Sequence, residues 1–186
     1  MGFTVISGPV APEDLVWLAA AYDQAIASAS PDDVRVGSST TRVNGFVNRG
    51  LEFDSIYLHP PVLKACRHVL RQPFELSTMH ARTLRPGQDA QELHVDYARD
   101  EQGWTMVGFI FMVDEFRPDN GATRFVPGSH LWSSVPDDRP RDRQVLACGP
   151  AGSMIVYNGA VWHGHTVNRS GAPRRSLQGA YVRSRR

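Results

Sequence analysis

Trp104-Thr105-Met106-Val107-Gly108-Phe109-Ile110-Phe111-Met112-Val113 is the stretch that decides the fold. Nearly every residue in it is apolar and β-prone. A strand wetted on one face alternates apolar and polar residues, so an unbroken apolar run of this length reads as a central strand covered on both faces.

The segments around this strand follow the same logic. After Pro73 the pattern is that of strands: Phe74 to Leu84 stops at the Pro86-Gly87 turn, and Arg174 to Val182 closes the chain. Ser153 to Tyr157 and Ala160 to Val167 flank Asn158-Gly159, a strong hairpin signal. Asp119-Asn120-Gly121 and Pro127-Gly128-Ser129 are turn signals. Upstream, Phe3 to Ile6 reads as a short strand. Pro12 with Glu13 and Asp14 opens a helix carrying Leu15, Leu18, Ala19, Tyr22 and Ile26 at helical spacing. Pro60-Pro61 opens another, with Val62, Cys66, Val69 and Leu70 inward. The polar stretch from Ser28 to Asn48 reads as a mobile segment.

Helices first and short strands later predict a mainly β (α+β) fold, a double-sheet jelly roll with N-terminal helices packed on one sheet. The expected organisation is a single domain over residues 1–186, with a helical layer at about 11–72 and a β core at about 73–183.

Composition narrows the function classes. A formal charge of +1, with acids and bases interspersed, gives no electrostatic footprint for nucleic acid. No apolar run is long enough to span a membrane, and no signal-peptide pattern opens the chain. Cys66 and Cys148 read as buried free thiols rather than a disulfide framework. A cytoplasmic setting is expected.

The chemistry lies in His94-Val95-Asp96, in His163 far downstream, and in Arg174 shortly after it. Residues i and i+2 of a strand share a face, so His94 and Asp96 can reach one metal ion. His-x-Asp alone is also a common surface pair, and a histidine inside Val161-Trp162-His163 can be an ordinary core residue. Together, two histidines and a carboxylate form the facial ligand set of non-haem iron oxygenases, with positions left open. The turn Asn168 to Pro173 reads as joining two antiparallel strands, which would bring Arg174 within a pair or two of His163. An arginine so placed needs an anion, and the distal carboxylate of 2-oxoglutarate supplies one.

The chain resembles the phytanoyl-CoA dioxygenase family of Fe(II)/2-oxoglutarate oxygenases. The resemblance is densest in Leu84-Arg85-Pro86-Gly87 through Gln91-Glu92-Leu93 to His94-Val95-Asp96. It continues in Asp119-Asn120-Gly121 through Phe125 to His130, and in Trp162-His163-Gly164 with Asn168-Arg169-Ser170 and Pro173-Arg174-Arg175. It implies a double-stranded β-helix, with His94, Asp96 and His163 as metal ligands and Arg174 on the far carboxylate of 2-oxoglutarate. Phe109 falls where relatives place an aromatic residue against the co-substrate, and Gln91 and Tyr97 flank the first ligands as site-lining residues. The cofactors implied are Fe(II), 2-oxoglutarate and O2.

One position departs from the family pattern: His165 stands where relatives usually carry a small residue. It faces the same way as His163 on a strand, so residue type alone leaves open which of the two binds metal. The Trp-His-Gly context and the spacing to Arg174 favour His163, with His165 touching co-substrate or substrate.

The implied reaction hydroxylates an unactivated C–H bond of a small organic molecule, with release of succinate and CO2. A biosynthetic tailoring step is one setting for it. The alternatives are a metal-dependent cupin-type enzyme that does not use 2-oxoglutarate and a non-catalytic cupin-like binding module. The expected partner is a small-molecule substrate, with no nucleic acid and no membrane. Gly37 to Glu52 and the loop from Ser133 to Arg143 are expected to wall the substrate site.

Overall fold

The computed structural model describes residues 1–132 and 143–184. In chain order its strands and helices are β1 (Phe3–Ser7), α1 (Leu15–Ala27), β2 (Val34–Val36), β3 (Thr40–Val43), α2 (Asp54–Tyr57), α3 (Pro60–Leu70), β4 (Phe74–Leu84), β5 (Met106–Met112), β6 (Thr123–Phe125), β7 (Val145–Ala147), β8 (Ser153–Asn158), β9 (His163–His165) and β10 (Arg174–Arg183). Seven strands form one antiparallel sheet in the order β1-β8-β5-β10-β4-β3-β2, and β7-β6-β9 form a second, smaller one.

β5 is buried along its whole length because each face has its own cover. Val107, Phe109 and Phe111 point to the helices, where they join Leu18, Tyr22, Val62, Cys66 and Leu70 in one core. Met106, Ile110 and Met112 point the other way and pack with Phe116, Val161 and Phe125, the last carried by the small sheet. The period-two alternation of a strand thus divides one apolar run between two cores. The result is a jelly roll with helices laid against the outer face of the large sheet.

Pro60 and Pro61 sit in the first turn of α3, where a missing amide costs no helical bond, and Arg67 and His68 lie in its last turn near the negative dipole end. Among the described residues no helix is long and apolar enough to cross a membrane.

Three expectations need correction. Asn158-Gly159 does not close a hairpin: β8 belongs to the large sheet and β9 to the small one, so this turn carries the chain between sheets. The same holds for Asn168 to Pro173, since β10 pairs with β4 and β5 rather than with β9. In that crossing the Asn168 side chain donates to the Ala172 carbonyl at 2.7 Å and accepts from the Ser170 amide at 3.1 Å, a local hydrogen-bonding pattern that sets the bend. Turn chemistry is identical whether the next strand pairs back or switches sheets, so the residues do not distinguish the two.

The third concerns Ser28 to Asn48, which contains β2 and β3. These form the edge of the large sheet, with β3 paired to β4. Both strands are very short and each carries an arginine, Arg35 and Arg42, which are common ways of protecting an edge and leave little periodic signal. Of the second expected wall loop, residues 133–142 lie outside the described residues.

Candidate active site

Past Pro86-Gly87 the chain leaves β4 and runs alongside β9. The Gln91 amide donates to the His165 carbonyl at 3.0 Å, and His94 and His163 pair as an isolated antiparallel bridge. Gly164 permits this approach: a Cβ there would lie 2.9 Å from the Gln91 carbonyl oxygen and 3.1 Å from that of Glu92. Asp96 is fixed in turn by its amide, which donates to the Gly159 carbonyl at 2.9 Å.

The structure therefore brings His94, Asp96 and His163 together, with one ligand-type atom from each lying within 4.8 Å of the others. Nε2 of His94 is 3.6 Å from Asp96 Oδ1, and Nε2 of His163 is 3.6 Å from Oδ2. Each histidine directs Nδ1 at a main-chain carbonyl, Glu92 at 3.1 Å and Val161 at 2.9 Å. A carbonyl accepts only, so Nδ1 carries the proton and Nε2 presents its lone pair, as a metal ligand must. Burial holds the His163 imidazole below its ordinary pKa and so keeps it neutral. The donor set and its tautomers fit a divalent metal.

Arg174 lies in the same cavity at the start of β10, only 2 % exposed. Its guanidinium stacks on the Phe116 ring at 3.7 Å. Nε and Nη1 are sealed from water and have no hydrogen-bond partner among the described residues. Burial, then the neighbouring Arg82, draw its pKa down to about 9. A buried cation with open donors is costly unless an anion meets it, so this residue fits a carboxylate ligand.

His165 does not join the three-atom cluster. Its Nδ1 faces the Thr166 carbonyl at 3.0 Å, so Nε2 accepts from the Ser39 hydroxyl at 3.0 Å. That bond ties β9 to the tip of the β2–β3 hairpin, which Arg85 also holds by donating to the Gly37 carbonyl at 2.7 Å. Burial pushes the His165 imidazole down to about 4. Gln91 lines the cavity and accepts from Arg82 Nη2 at 3.0 Å. Tyr97, 56 % exposed, stands at the mouth. Phe109 does not line the cavity; it points into the helical core, and Met106 and Ile110 of β5 line the cavity instead. From the expected wall Gly37 to Glu52, Arg42 lines the cavity.

The cavity measures about 230 Å³. Several lining residues were not anticipated from the sequence. Thr78, His80 and Arg82 alternate along β4 and face inward, and polar residues at every second position, interleaved with the buried Met79 and Ala81, were the available signal. Arg82 Nη1 donates to Gln178 at 3.3 Å. Burial and then Arg42 lower the His80 imidazole to about 4. Tyr157 donates its phenol to Asp96 Oδ2 at 2.7 Å, and no local pattern announces it.

The sequence model described as phytanoyl-CoA dioxygenase matches residues 1–176. Dioxygenase cdmA of Talaromyces verruculosus is 36% identical over 102 residues, covering 50% of this chain and 35% of that protein. The chain spans about a third to two thirds of the length of the curated relatives it matches. Among solved structures, HygX from Streptomyces hygroscopicus, determined with nickel, 2-oxoglutarate and hygromycin B bound, superposes with a TM-score of 0.79 at 16% identity, over 98% of this chain and 83% of that one. The carbocyclase SnoK from nogalamycin biosynthesis, described as α-ketoglutarate dependent, gives 0.80 at 17% identity, over 98% and 79%. At such identity these two establish the shared fold, and the sequence match over residues 1–176 establishes the lineage: the chain belongs to the phytanoyl-CoA dioxygenase family.

Proposed function

We propose that the chain is a non-haem Fe(II)- and 2-oxoglutarate-dependent oxygenase that hydroxylates a C–H bond of a small organic molecule. The observation that carries this reading is Arg174. It is a sealed guanidinium with open donors, in the same cavity as a ready set of two imidazole Nε2 atoms and a carboxylate. A metal enzyme with no acidic co-substrate has no use for such a cation, which is why the cupin-type alternative is less well supported.

In this reading His94, Asp96 and His163 hold the metal, and Arg174 binds the distal carboxylate of 2-oxoglutarate through its fork of donors. Iron and 2-oxoglutarate, when bound, would let the site use O2 as oxidant, one oxygen atom leaving in succinate as 2-oxoglutarate loses CO2 and the other entering the substrate C–H bond. The protein's own residues orient and exclude water. Phe116 fixes the plane of the guanidinium, Met106 and Ile110 give the cavity an apolar wall, and Gln91 is held by Arg82 beside His94. Substrate enters past Tyr97, and a cavity of about 230 Å³ suits a small molecule.

The test is a titration of metal-free protein with Fe(II) and 2-oxoglutarate under anaerobic conditions, followed, once O2 is admitted, by a screen for substrate-dependent succinate release and product analysis. Binding of both, with succinate formed and a hydroxylated product, is expected. Iron binding without any response to 2-oxoglutarate would leave the cupin-type reading.

A further inference from the structure

Asp96 is gripped from one side by the end of β8. Its amide donates to Gly159, and its Oδ2 accepts the phenol O–H of Tyr157 at 2.7 Å. Oδ1 accepts no hydrogen bond from any described residue, and Nε2 of His94 lies 3.6 Å away. The phenol reaches this point by lying across Gly108, its register partner in β5, where any Cβ would run into the ring. The same ring lies 4.8 Å from that of His163, so it touches two of the three clustered residues. Gly108 thus opens the path, Tyr157 follows it, and the Asp96 carboxylate is held at the end.

We propose that Tyr157 is a positioning residue for the metal centre, one that occupies Oδ2 of Asp96 and leaves Oδ1 to the metal. This rests on reading His94, Asp96 and His163 as a metal site. A carboxylate free to turn must be ordered by the metal itself, which weakens binding, and it leaves undefined which oxygen the metal meets. One held by a charge-assisted hydrogen bond presents a single oxygen, which keeps positions open for a chelating co-substrate and for O2. The phenol is the donor, because an ionised carboxylate has no proton to give. A tyrosine that only satisfied its own hydroxyl would fit the same distance, and the two roles separate by experiment.

Metal-free native protein and Tyr157→Phe, which keeps the ring and loses the hydroxyl, are titrated with Ni2+ by calorimetry, and the melting of both metal-free proteins is followed as a check of folding. Affinity is expected to fall by about 10–100-fold in Tyr157→Phe, the scale typical of lost outer-shell partners. In an Asp96→Ala background, where two histidines still take Ni2+ weakly, Tyr157→Phe is expected to add nothing. A second loss of equal size there would mark a general packing effect and overturn the proposal, as would native-like affinity in Tyr157→Phe alone. A native protein that bound no Ni2+ would overturn the metal centre itself, and that result is distinct from native binding that ignores the phenol.

Discussion

His94 and His163 are direct antiparallel partners: the amide of each donates to the carbonyl of the other, at 3.0 and 2.9 Å. Two imidazoles from distant parts of the chain are thereby set on one backbone bridge, 4.5 Å apart between ring centroids. Their spacing is imposed by main-chain hydrogen bonds, which side-chain substitutions leave intact. Alanine at His94, Asp96 or His163 should therefore abolish tight metal binding without unfolding the protein. His165→Ala should keep it, since His165 bonds to Ser39 instead. Calorimetric metal titration decides the matter, and loss of metal in His165→Ala with retention in His163→Ala would reverse the ligand assignment.

Arg174→Ala should weaken 2-oxoglutarate binding by on the order of a hundredfold, the equivalent of roughly 2–3 kcal/mol of charged hydrogen bonding. Arg174→Lys should fall between, because it keeps the charge and loses the fork. Metal affinity should hardly move. The absorbance of the anaerobic iron complex, titrated with 2-oxoglutarate, measures the effect, and an unchanged affinity in the alanine variant would remove Arg174 from the site.

Gly164→Ala tests the main-chain approach itself. Its Cβ would press on the carbonyls of Gln91 and Glu92, which are backbone and cannot swing aside. The segment carrying His94 should be pushed from β9, with a loss of about 1–3 kcal/mol in stability and a weaker metal site. Urea unfolding and Ni2+ titration of the same variant report the two effects. Wild-type values in both would show that the segments are free to separate.

His80 gives stability a pH dependence. Its folded-state pKa of about 4 lies below the unfolded value of about 6.5. As pH falls from 6.5 towards 4 the unfolded chain takes up a proton that the folded chain refuses, so stability declines with falling pH, at up to about 1.4 kcal/mol per pH unit for this one group. His80→Asn should flatten the slope of unfolding free energy between pH 6.5 and 4.5 in metal-free protein. An unaltered slope would show that His80 titrates normally in the fold.

What the sequence disclosed, and what it withheld, divides along physical lines. β5 was legible because a strand covered on both faces must be apolar throughout. Asn158-Gly159 misled because sheet-switching turns use the same residues as hairpins. β2 and β3 were hidden by their shortness, too few residues for an alternation to be read. In the site, His94, Asp96, His163 and Arg174 were picked out as a set, and the structure brings all four to one cavity. Phe109 was misplaced by one position of alternation: its neighbour Ile110 faces the cavity. Tyr157 was invisible, because its meaning depends on Asp96 and Gly108, neither of them near it in the chain.

The stacking of Arg174 on Phe116 sets two selective pressures against each other. On the proposed reading of Arg174 as the co-substrate anchor, catalysis retains the guanidinium, whereas stability of the empty protein would favour an uncharged, apolar side chain against the same ring. A lineage that abandons the chemistry is released from the first pressure only, and the arginine is then expected to drift early. A leucine or methionine at this position, beside intact counterparts of His94, Asp96 and His163, would be the mark of a descendant that has ceased to be an enzyme while still folding well.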